Sequence, residues 1–293
     1  MLKGVFRTLA ELPAQVTECP LWDPVAQRLH FVEIYARRIH TVDWATGAQH
    51  WVETPEPVAS LGLAQDGWLV AGLAHGVALV HPDTGALTPL ARIDEGAANR
   101  LNDGRCAPDG RFYWVGSMVE ALDRPGGTLY RVGVDGTATA MVSGLICSNG
   151  LAWSPDGATM FHADSRLSTV FAYDYAPSTG EISNRRVFAV SVPGEGRPDG
   201  AAVDAEGCYW AARYDGWRLV RHAPDGRELL VVPMPVQNPT MCAFAGPNLT
   251  TLVVTSARGS LTAAEIERQP LAGSVFAVEV DVAGRPEARF GGG

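Results

Sequence analysis

The sequence has few cysteines and no long apolar run, and both shortages exclude whole classes of protein. The five cysteines are an odd number and never stand in Cys-x-x-Cys spacing, which argues against a disulfide framework and a structural zinc site. We therefore expect reduced, mostly buried thiols. No stretch approaches the roughly 18 apolar residues of a membrane span, and the first residues lack the apolar core of a secretion signal. These absences predict a cytoplasmic protein with no membrane partner.

Positive charge and the common catalytic motifs are also scarce. The chain has 23 Lys and Arg against 32 Asp and Glu, a net charge of −9, and nucleic acid binding requires a basic face. Gly-x-Ser-x-Gly, the P-loop and His-Glu-x-x-His are all missing, and the seven histidines do not cluster at metal-ligand spacing. Nucleic acid is thereby excluded as a partner, and a metal ion or a neutral or cationic small molecule is favoured.

Turn-forming residues, by contrast, are abundant and evenly spread, with 32 Gly and 20 Pro in 293 residues. A unit of a polar turn followed by alternating apolar residues recurs, with successive gaps of 43, 43, 47, 50 and 41 residues. The turn positions are Asp23, Asp66, Asp109, Asp156, Glu206 and Pro247. Six units of this length, each with about four short strands, are typical of a β-propeller, whereas a solitary β-sandwich does not explain six copies.

The predicted fold is therefore all-β, a single six-bladed β-propeller domain over residues 1–293 with four-stranded blades. The last apolar run, residues 274–280, completes the final blade. The N-terminal run, residues 4–9, is expected to pair beside it and close the ring, because a paired strand removes an open sheet edge.

A second polar position recurs inside the repeat, seven residues before the turns. The residues at this phase are Asn102, Asn149, Asp199 and Thr240, with Ala59 in the second unit. In the first unit the matching polar residue is Glu18, which departs from the strict spacing and lies five residues before Asp23. Asn-Gly and Pro-Asp-Gly are ordinary turn signals when taken alone. Because the innermost strands of a propeller run roughly along its axis, equal phase predicts a ring around the channel. We expect four of these side chains to converge at one mouth: Glu18, Asn102, Asn149 and Asp199.

Converging carboxylates and amides indicate a metal site. Two carboxylates near one axis repel each other unless a cation neutralises them, and with an Asn oxygen they suit Ca²⁺, Mg²⁺ or Mn²⁺, with Zn²⁺ or Fe²⁺ not excluded. Three protein ligands leave positions open for water and substrate, as in catalytic sites. Arg100, two residues before Asn102, is expected to project toward the same mouth and hold substrate oxygens; the alternative is a surface salt bridge.

Seven short segments, in this order and spacing, carry a family resemblance. They are Glu18-Cys19-Pro20-Leu21-Trp22, Arg100-Leu101-Asn102-Asp103-Gly104, Gly116-Ser117-Met118, Ser148-Asn149-Gly150-Leu151, Ile182-Ser183-Asn184-Arg185-Arg186, Pro198-Asp199-Gly200 and Arg268-Gln269-Pro270-Leu271-Ala272-Gly273. Together they resemble the senescence-marker-protein/gluconolactonase family, which includes regucalcin-like lactonases and bacterial sugar-acid lactonases. The resemblance covers nearly the whole chain.

The resemblance implies a six-bladed propeller with one divalent metal ion on Glu18, Asn149 and Asp199. It also implies substrate contacts from Arg100 and Asn102, and a role for Asp199 as the general base.

One departure from the family pattern leaves the sugar preference open. Some relatives have two adjacent acidic residues after the Gly-x-Met motif, and the second contacts sugar hydroxyls. Here Glu120 is followed by Ala121. The contact is therefore absent or supplied from elsewhere, with Glu120 or Asp123 as candidates.

We accordingly predict metal-dependent hydrolysis of a sugar lactone to its aldonic acid, in pentose or hexose oxidative catabolism, by a monomer or weak oligomer. Two alternatives stay open: hydrolysis of organophosphates or other esters on the same propeller, and a non-catalytic metal- or ligand-binding propeller. Asp109 and Asp156 share the Pro-Asp-Gly sequence of Asp199 but not its phase, so both are expected to be turn residues far from the site.

Overall fold

The computed structural model describes residues 2–93 and 98–292, and over these ranges the chain forms six mainly antiparallel sheets. The N-terminal strand β1 (Arg7–Ala10) precedes five blades that each consist of four consecutive strands. The strands of blades one to three are β2 (Thr17–Asp23), β3 (Arg28–Glu33), β4 (Arg38–Asp43) and β5 (Gln49–Glu53); β6 (Val58–Ala64), β7 (Leu69–Leu73), β8 (Gly76–Val80) and β9 (Leu87–Arg92); and β10 (Asn99–Cys106), β11 (Phe112–Val119), β12 (Gly127–Gly133) and β13 (Ala138–Leu145). Those of blades four and five are β14 (Ser148–Trp153), β15 (Thr159–Asp164), β16 (Thr169–Ala176) and β17 (Glu181–Val190); and β18 (Arg197–Val203), β19 (Tyr209–Tyr214), β20 (Arg218–His222) and β21 (Glu228–Pro233).

Blade six closes the ring with both ends of the chain. It consists of β22 (Pro239–Ala245), β23 (Thr251–Ser256), β24 (Val275–Glu279) and, as its outermost strand, β1. β1 pairs antiparallel with β24, so that Arg7 lies opposite Ala277. The predicted six-bladed propeller and its closure by the N-terminal strand are both confirmed.

Helices contribute little to the described residues. One short α-helix, α1 (Ala263–Arg268), lies between β23 and β24, and two 3-10 turns span Gln65–Gly67 and Ser165–Leu167. None of the helices in this part of the chain has the length and hydropathy that crossing a bilayer requires.

The hydrophobic core lies between the blades. Among the described residues, apolar side chains form six clusters, and each cluster joins two adjacent blades. Between blades three and four, for example, Trp114 meets Trp153 edge-on with ring centroids 6.4 Å apart. All five cysteines are free and buried, as expected. The apolar contacts that hold the ring together are therefore those between neighbouring blades.

The chain continues past the last predicted strand and crosses the far end of the propeller, which the sequence did not indicate. Residues 281–292 include β25 (Arg289–Phe290), a fifth strand on blade two that pairs parallel with β6. Hydrogen bonds join this segment to every blade, at Asp23, Ala64, Gly110, Ser154, Ala205 and Leu249. These partners lie at or beyond the carboxyl ends of the innermost strands, opposite the ends that carry the candidate site.

Candidate active site

The four residues expected to converge each lie in, or directly before, a β-bulge in the innermost strand of their blade. The innermost strands lose register with their neighbours at Cys19-Pro20, Ala59, Asn102-Asp103, Gly150-Leu151, Asp199-Gly200 and Thr240-Met241. A bulge bends its strand and re-aims side chains, which is why bulges are common beside active sites. Asn102 and Asp199 occupy the bulge itself, whereas Glu18 and Asn149 are the last paired residues before it. The four residues therefore occupy two different positions relative to their bulges, although the sequence suggested one common position in the repeat.

Side chains at or next to five of the six bulges line one cavity of about 270 Å³ at the axis. Its walls include Glu18, Arg100, Asn102, Asn149, Asp199 and Thr240. The structure thus brings together the four residues that were expected to converge and adds Thr240 of blade six. The cavity lies just below the roughly 300–1,000 Å³ of drug-sized sites, a size suited to a single sugar ring.

Three buried carboxyl groups make the cavity electrostatically unusual. Burial raises the pKa of Glu18 well above its ordinary value, and repulsion from Asp199 and Asp103 adds to the effect. Burial and then repulsion from Asp103 likewise raise the pKa of Asp199 well above its usual range. Asp103 itself has a raised pKa, chiefly from burial. A cation between the first two would relieve this repulsion.

A chain of hydrogen bonds fixes the amide and guanidinium groups. Arg100 Nη1 donates to Asn102 Oδ1 at 2.7 Å, and Asn102 Nδ2 donates to Asn149 Oδ1 at 2.9 Å. Asn149 Nδ2 donates in turn to Ser165 Oγ at 2.8 Å. Both amide orientations follow from these partners, and Asn149 Oδ1 is the oxygen on the side of Asn102. Arg100 is 6% exposed and is not a surface salt-bridge residue.

The acidic candidates after the Gly-x-Met motif differ in their surroundings. Glu120 is exposed, and its Oε1 lies 3.6 Å from Arg100 Nε. Asp123 pairs instead with Arg124 at 2.9 Å, and both of these side chains are more than half exposed. Glu120 is therefore positioned beside Arg100, a residue of the cavity wall, while Asp123 is not among the residues that line the cavity.

The Pro-Asp-Gly sequences outside the ring are turns, as expected. Asp109 Oδ1 accepts from the Arg111 backbone NH at 3.0 Å, and Asp156 Oδ1 accepts from that of Ala158 at 3.0 Å. Neither residue borders the cavity. Identical tripeptides thus have different roles because they occupy different phases of the repeat.

Sequence reasoning missed several cavity residues, and one of them carried a usable signal. Val16, Cys147 and Arg197 all line the cavity two residues before a ring position, as Arg100 does. The spacing that identified Arg100 would also have identified Arg197. Tyr35, Ser165, Arg166, Tyr214 and Ser260 come from loops at or after the second strand of a blade, and nothing in their local sequence marks them.

The Asn149-Gly150 dipeptide gives a stability prediction. Gly150 and Gly157 both have left-handed backbones, with φ of 65° and 70°. A Cβ at Gly150 would overlap the Tyr209 hydroxyl, whereas at Gly157 the nearest atoms are Pro108 carbons at 3.7 Å. Left-handed backbone costs an alanine about 1–2 kcal/mol at either position. Overpacking should add about 1–3 kcal/mol at Gly150 alone. Urea unfolding of Gly150→Ala and Gly157→Ala tests this, and equal losses of free energy of unfolding would contradict it.

Comparison with known proteins identifies the family. A model of the SMP-30/Gluconolactonase/LRE-like region matches residues 16–258, a range that contains every candidate site residue. The chain belongs to this family. A 6-deoxy-6-sulfogluconolactonase from Pseudomonas putida is 38% identical over 293 residues, covering 99% of this chain and 100% of that protein. Regucalcin from Gallus gallus is 36% identical over 283 residues, 94% of each chain.

A solved structure agrees with the family assignment and confirms the resemblance seen in the sequence. The crystal structure of a calcium-binding protein, regucalcin, from Agrobacterium tumefaciens matches with a TM-score of 0.93 and 30% identity. The match covers 98% of this chain and 97% of that one.

The donor set fits the divalent metal ion that the family resemblance implies. In the described part of the chain, no group of three His, Cys, Asp or Glu side chains is arranged to hold a metal. Glu18 and Asp199 offer carboxylate oxygens and Asn149 an amide oxygen, the donor types that hard cations prefer. The mutual repulsion of the two carboxyl groups gives an independent reason for a cation there.

Proposed function

We propose that the protein is a sugar lactonase that hydrolyses an aldonolactone to the aldonic acid in the central cavity, with one divalent metal ion. The observation that carries the proposal is the meeting of two repelling carboxyl groups, an amide oxygen and a fixed guanidinium in one sugar-sized cavity. The full-length similarity to a 6-deoxy-6-sulfogluconolactonase supports the same reaction class.

Three residues would hold the ion: Glu18, Asn149 and Asp199. When bound, a divalent ion supplies Lewis acidity toward the lactone carbonyl and lowers the pKa of a bound water. An all-oxygen donor set favours Ca²⁺, Mg²⁺ or Mn²⁺ over softer ions. The similarity to a calcium-binding propeller supports Ca²⁺ among these.

Asp199 is proposed to act as the general base. Its carboxylate accepts a proton from the attacking water while the water oxygen bonds to the lactone carbonyl carbon. The bond from that carbon to the ring oxygen then breaks, and the ring oxygen leaves as a hydroxyl group after taking up the proton. Burial raises the basicity of the Asp199 carboxylate, and general bases are most effective when their pKa approaches the working pH.

Arg100 and Asn102 are proposed to orient the lactone ring, and Glu120 to reach sugar hydroxyls from the rim. The Arg100 guanidinium also lies over the Tyr35 ring, with its centre 5.6 Å from the ring centroid. This support limits the motion of the guanidinium, so that less rotamer freedom is lost when substrate binds.

Replacing Arg100 by Ala should impair substrate use and leave metal binding intact. Loss of a hydrogen bond to a substrate oxygen costs about 1–3 kcal/mol, roughly 5- to 150-fold in kcat/KM. Arg100 contacts no proposed ligand directly, whereas Asn102 donates to Asn149, so only the Arg100 variant separates the two effects. Steady-state kinetics and calorimetric metal titration test this, with Arg124→Ala as the control. An Arg100→Ala protein that no longer binds metal would contradict the assignment.

The proposal is tested by acid release from a panel of pentonolactones and hexonolactones, beside organophosphates and simple aryl esters. A sugar lactone should be the best substrate by kcat/KM. Preference for an organophosphate or aryl ester would favour the alternative hydrolase, and no turnover with any compound would favour a binding propeller.

A further inference from the structure

Two guanidinium groups that line the cavity have no ion-pair partner among the described residues. Arg166 and Arg197 both line the cavity, and across residues 2–93 and 98–292 neither side chain forms a hydrogen bond or an ion pair. Arg100 differs, because it donates to Asn102 and lies beside Glu120. Arg166 is exposed at the mouth, and Arg197 is half-buried. An arginine that only keeps the protein soluble is expected on the outer surface, and not in the wall of a substrate cavity.

The aromatic ring next to Arg197 contacts the face of its guanidinium group and not the N–H groups at its edge. Arg197 lies directly opposite Tyr214 in the β18–β19 pair, and its guanidinium covers the Tyr214 ring at 5.7 Å from the centroid. The Tyr214 hydroxyl is in turn 2.7 Å from Ser260 Oγ. A guanidinium that stacks on an aromatic ring keeps its N–H groups free for an anion.

Arg166 is fixed to the same side of the cavity. It lies in the 3-10 turn Ser165–Leu167, and Ser165 Oγ donates to the carbonyl of Pro198 at 2.6 Å. Pro198 directly follows Arg197 in β18. The two guanidinium groups therefore come from neighbouring segments that a short hydrogen bond joins.

The ion pairs of the described cavity residues do not include Arg166 and Arg197. Two carboxylates, Glu18 and Asp199, equal the charge of one divalent ion, and Glu120 lies next to Arg100. Arg197 lowers the pKa of Asp199 by attraction but forms no ion pair with it. Among the described residues, the Arg166 and Arg197 guanidinium groups then remain outside any ion pair, inside a protein whose net charge is −9. The net charge favoured a neutral or cationic ligand, but the charged groups that line a cavity, and not the net charge, decide which ligands enter it.

We infer that Arg166 and Arg197 form a subsite for an anionic substituent of the lactone, a sulfonate, phosphate or carboxylate group remote from the carbonyl that is attacked. This inference rests on the proposed function and narrows it to a class of charged sugar lactones. Guanidinium forks match the geometry of such oxyanions and bind them through paired, charge-assisted hydrogen bonds.

The test compares matched lactones that differ only at the terminal carbon, which carries a hydroxyl, sulfonate, phosphate or carboxylate group. The wild type should turn over at least one anionic lactone with a kcat/KM about 10- to 100-fold above that of the neutral one, since charge-assisted hydrogen bonds are worth that much. The variant Arg166→Gln/Arg197→Gln should lose this preference, so that its anionic-to-neutral ratio of kcat/KM approaches one. The ratio cancels any change in the basicity of Asp199 that the loss of Arg197 causes, because that change affects both lactones. Arg186→Gln, which removes an exposed arginine on the outer strand β17, is the charge-matched control. Of the sulfonate, phosphate and carboxylate lactones, the one whose kcat/KM falls most in the double variant carries the group that the subsite recognises.

Binding is measured in parallel, so that the inference is tested even without turnover. Calorimetry would use ring analogues that lack the carbonyl, a 1,5-anhydrohexitol and its terminal phosphate and sulfate esters. The wild type should bind the charged analogues more tightly, and the double variant should bind all of them alike. An unchanged anionic-to-neutral ratio in the double variant, or no preference in the wild type, would overturn the inference while lactone hydrolysis stands. Absence of hydrolysis with all lactones would instead overturn the proposed function.

Discussion

Asp199→Asn is expected to lower kcat for lactone hydrolysis by about 10²- to 10⁴-fold, the usual worth of a general base. The substitution keeps the shape of the side chain and one ligand oxygen but removes the charge and the basicity. Asp199 is 8% exposed and lies in the bulge of β18, so little else in the site should move.

Asp109→Asn and Asp156→Asn are the matched controls, because both residues stand in the same tripeptide. Each accepts a backbone hydrogen bond within its own turn, and Asn suits such turns nearly as well as Asp. Their kcat should stay close to that of the wild type, with circular dichroism confirming the fold of all three variants and metal at saturating concentration. Comparable activity in the three variants would contradict the hypothesis that position within the repeat separates Asp199 from Asp109 and Asp156. The active site proposed on that basis would then be wrong.

Removal of divalent metal should abolish lactone hydrolysis and leave the propeller folded. The expected loss in kcat is about 10³-fold or more, since a catalytic metal supplies several kcal/mol and each 1.4 kcal/mol is tenfold. The fold should persist because the proposed ligands lie at one end of the axis, whereas the six apolar clusters lie between blades. Thermal stability should rise again on addition of the metal, as for any ligand that binds only the native state.

The measurement is activity and far-ultraviolet circular dichroism after exhaustive chelation and again after stepwise return of Ca²⁺, Mn²⁺, Mg²⁺ or Zn²⁺. Metal analysis of the stripped protein is the control for complete removal. Full activity in a protein shown to be free of metal would exclude the metal mechanism, and loss of the circular dichroism signal would mean that the ion is structural.

The sequence predicted the propeller because its signals are local and repeated six times. Turn residues such as Asp109-Gly110 and Asp156-Gly157 mark the same point in each blade, so their spacing gives the length of the unit. The inner polar ring follows from the same count, which is why the positions of Asn102 and Asp199 could be derived from the spacing alone.

What the sequence could not show depends on contacts between distant segments. Glu18 and Asn149 precede their bulges by one residue, and each is followed by a left-handed residue, Cys19 with φ of 51° or Gly150 with φ of 65°. A bulge is defined by the pairing of two strands, so the sequence alone could not show that these two residues lie before their bulges. The C-terminal segment was also missed, because a two-residue strand such as Arg289–Phe290 has no periodicity of its own.

The third buried carboxyl group, Asp103, was overlooked for a related reason. It adjoins Asn102 in the bulge of β10, and one of its oxygens accepts from the Leu151 backbone NH of the next blade at 2.9 Å. An Asp that caps a neighbouring strand cannot be told apart from a turn residue until the two blades are placed side by side.

The central claim is that one divalent ion and the sugar share the cavity at the axis, and anomalous diffraction tests it most directly. Crystals would be grown with Mn²⁺ and a 1,5-anhydrohexitol, and an anomalous difference map would locate the metal. We predict a single strong peak within about 2.6 Å of oxygen atoms from Glu18, Asn149 and Asp199, with the sugar ring in the same cavity beside Arg100. A peak at another position, or a sugar ring bound outside this cavity, would contradict the account.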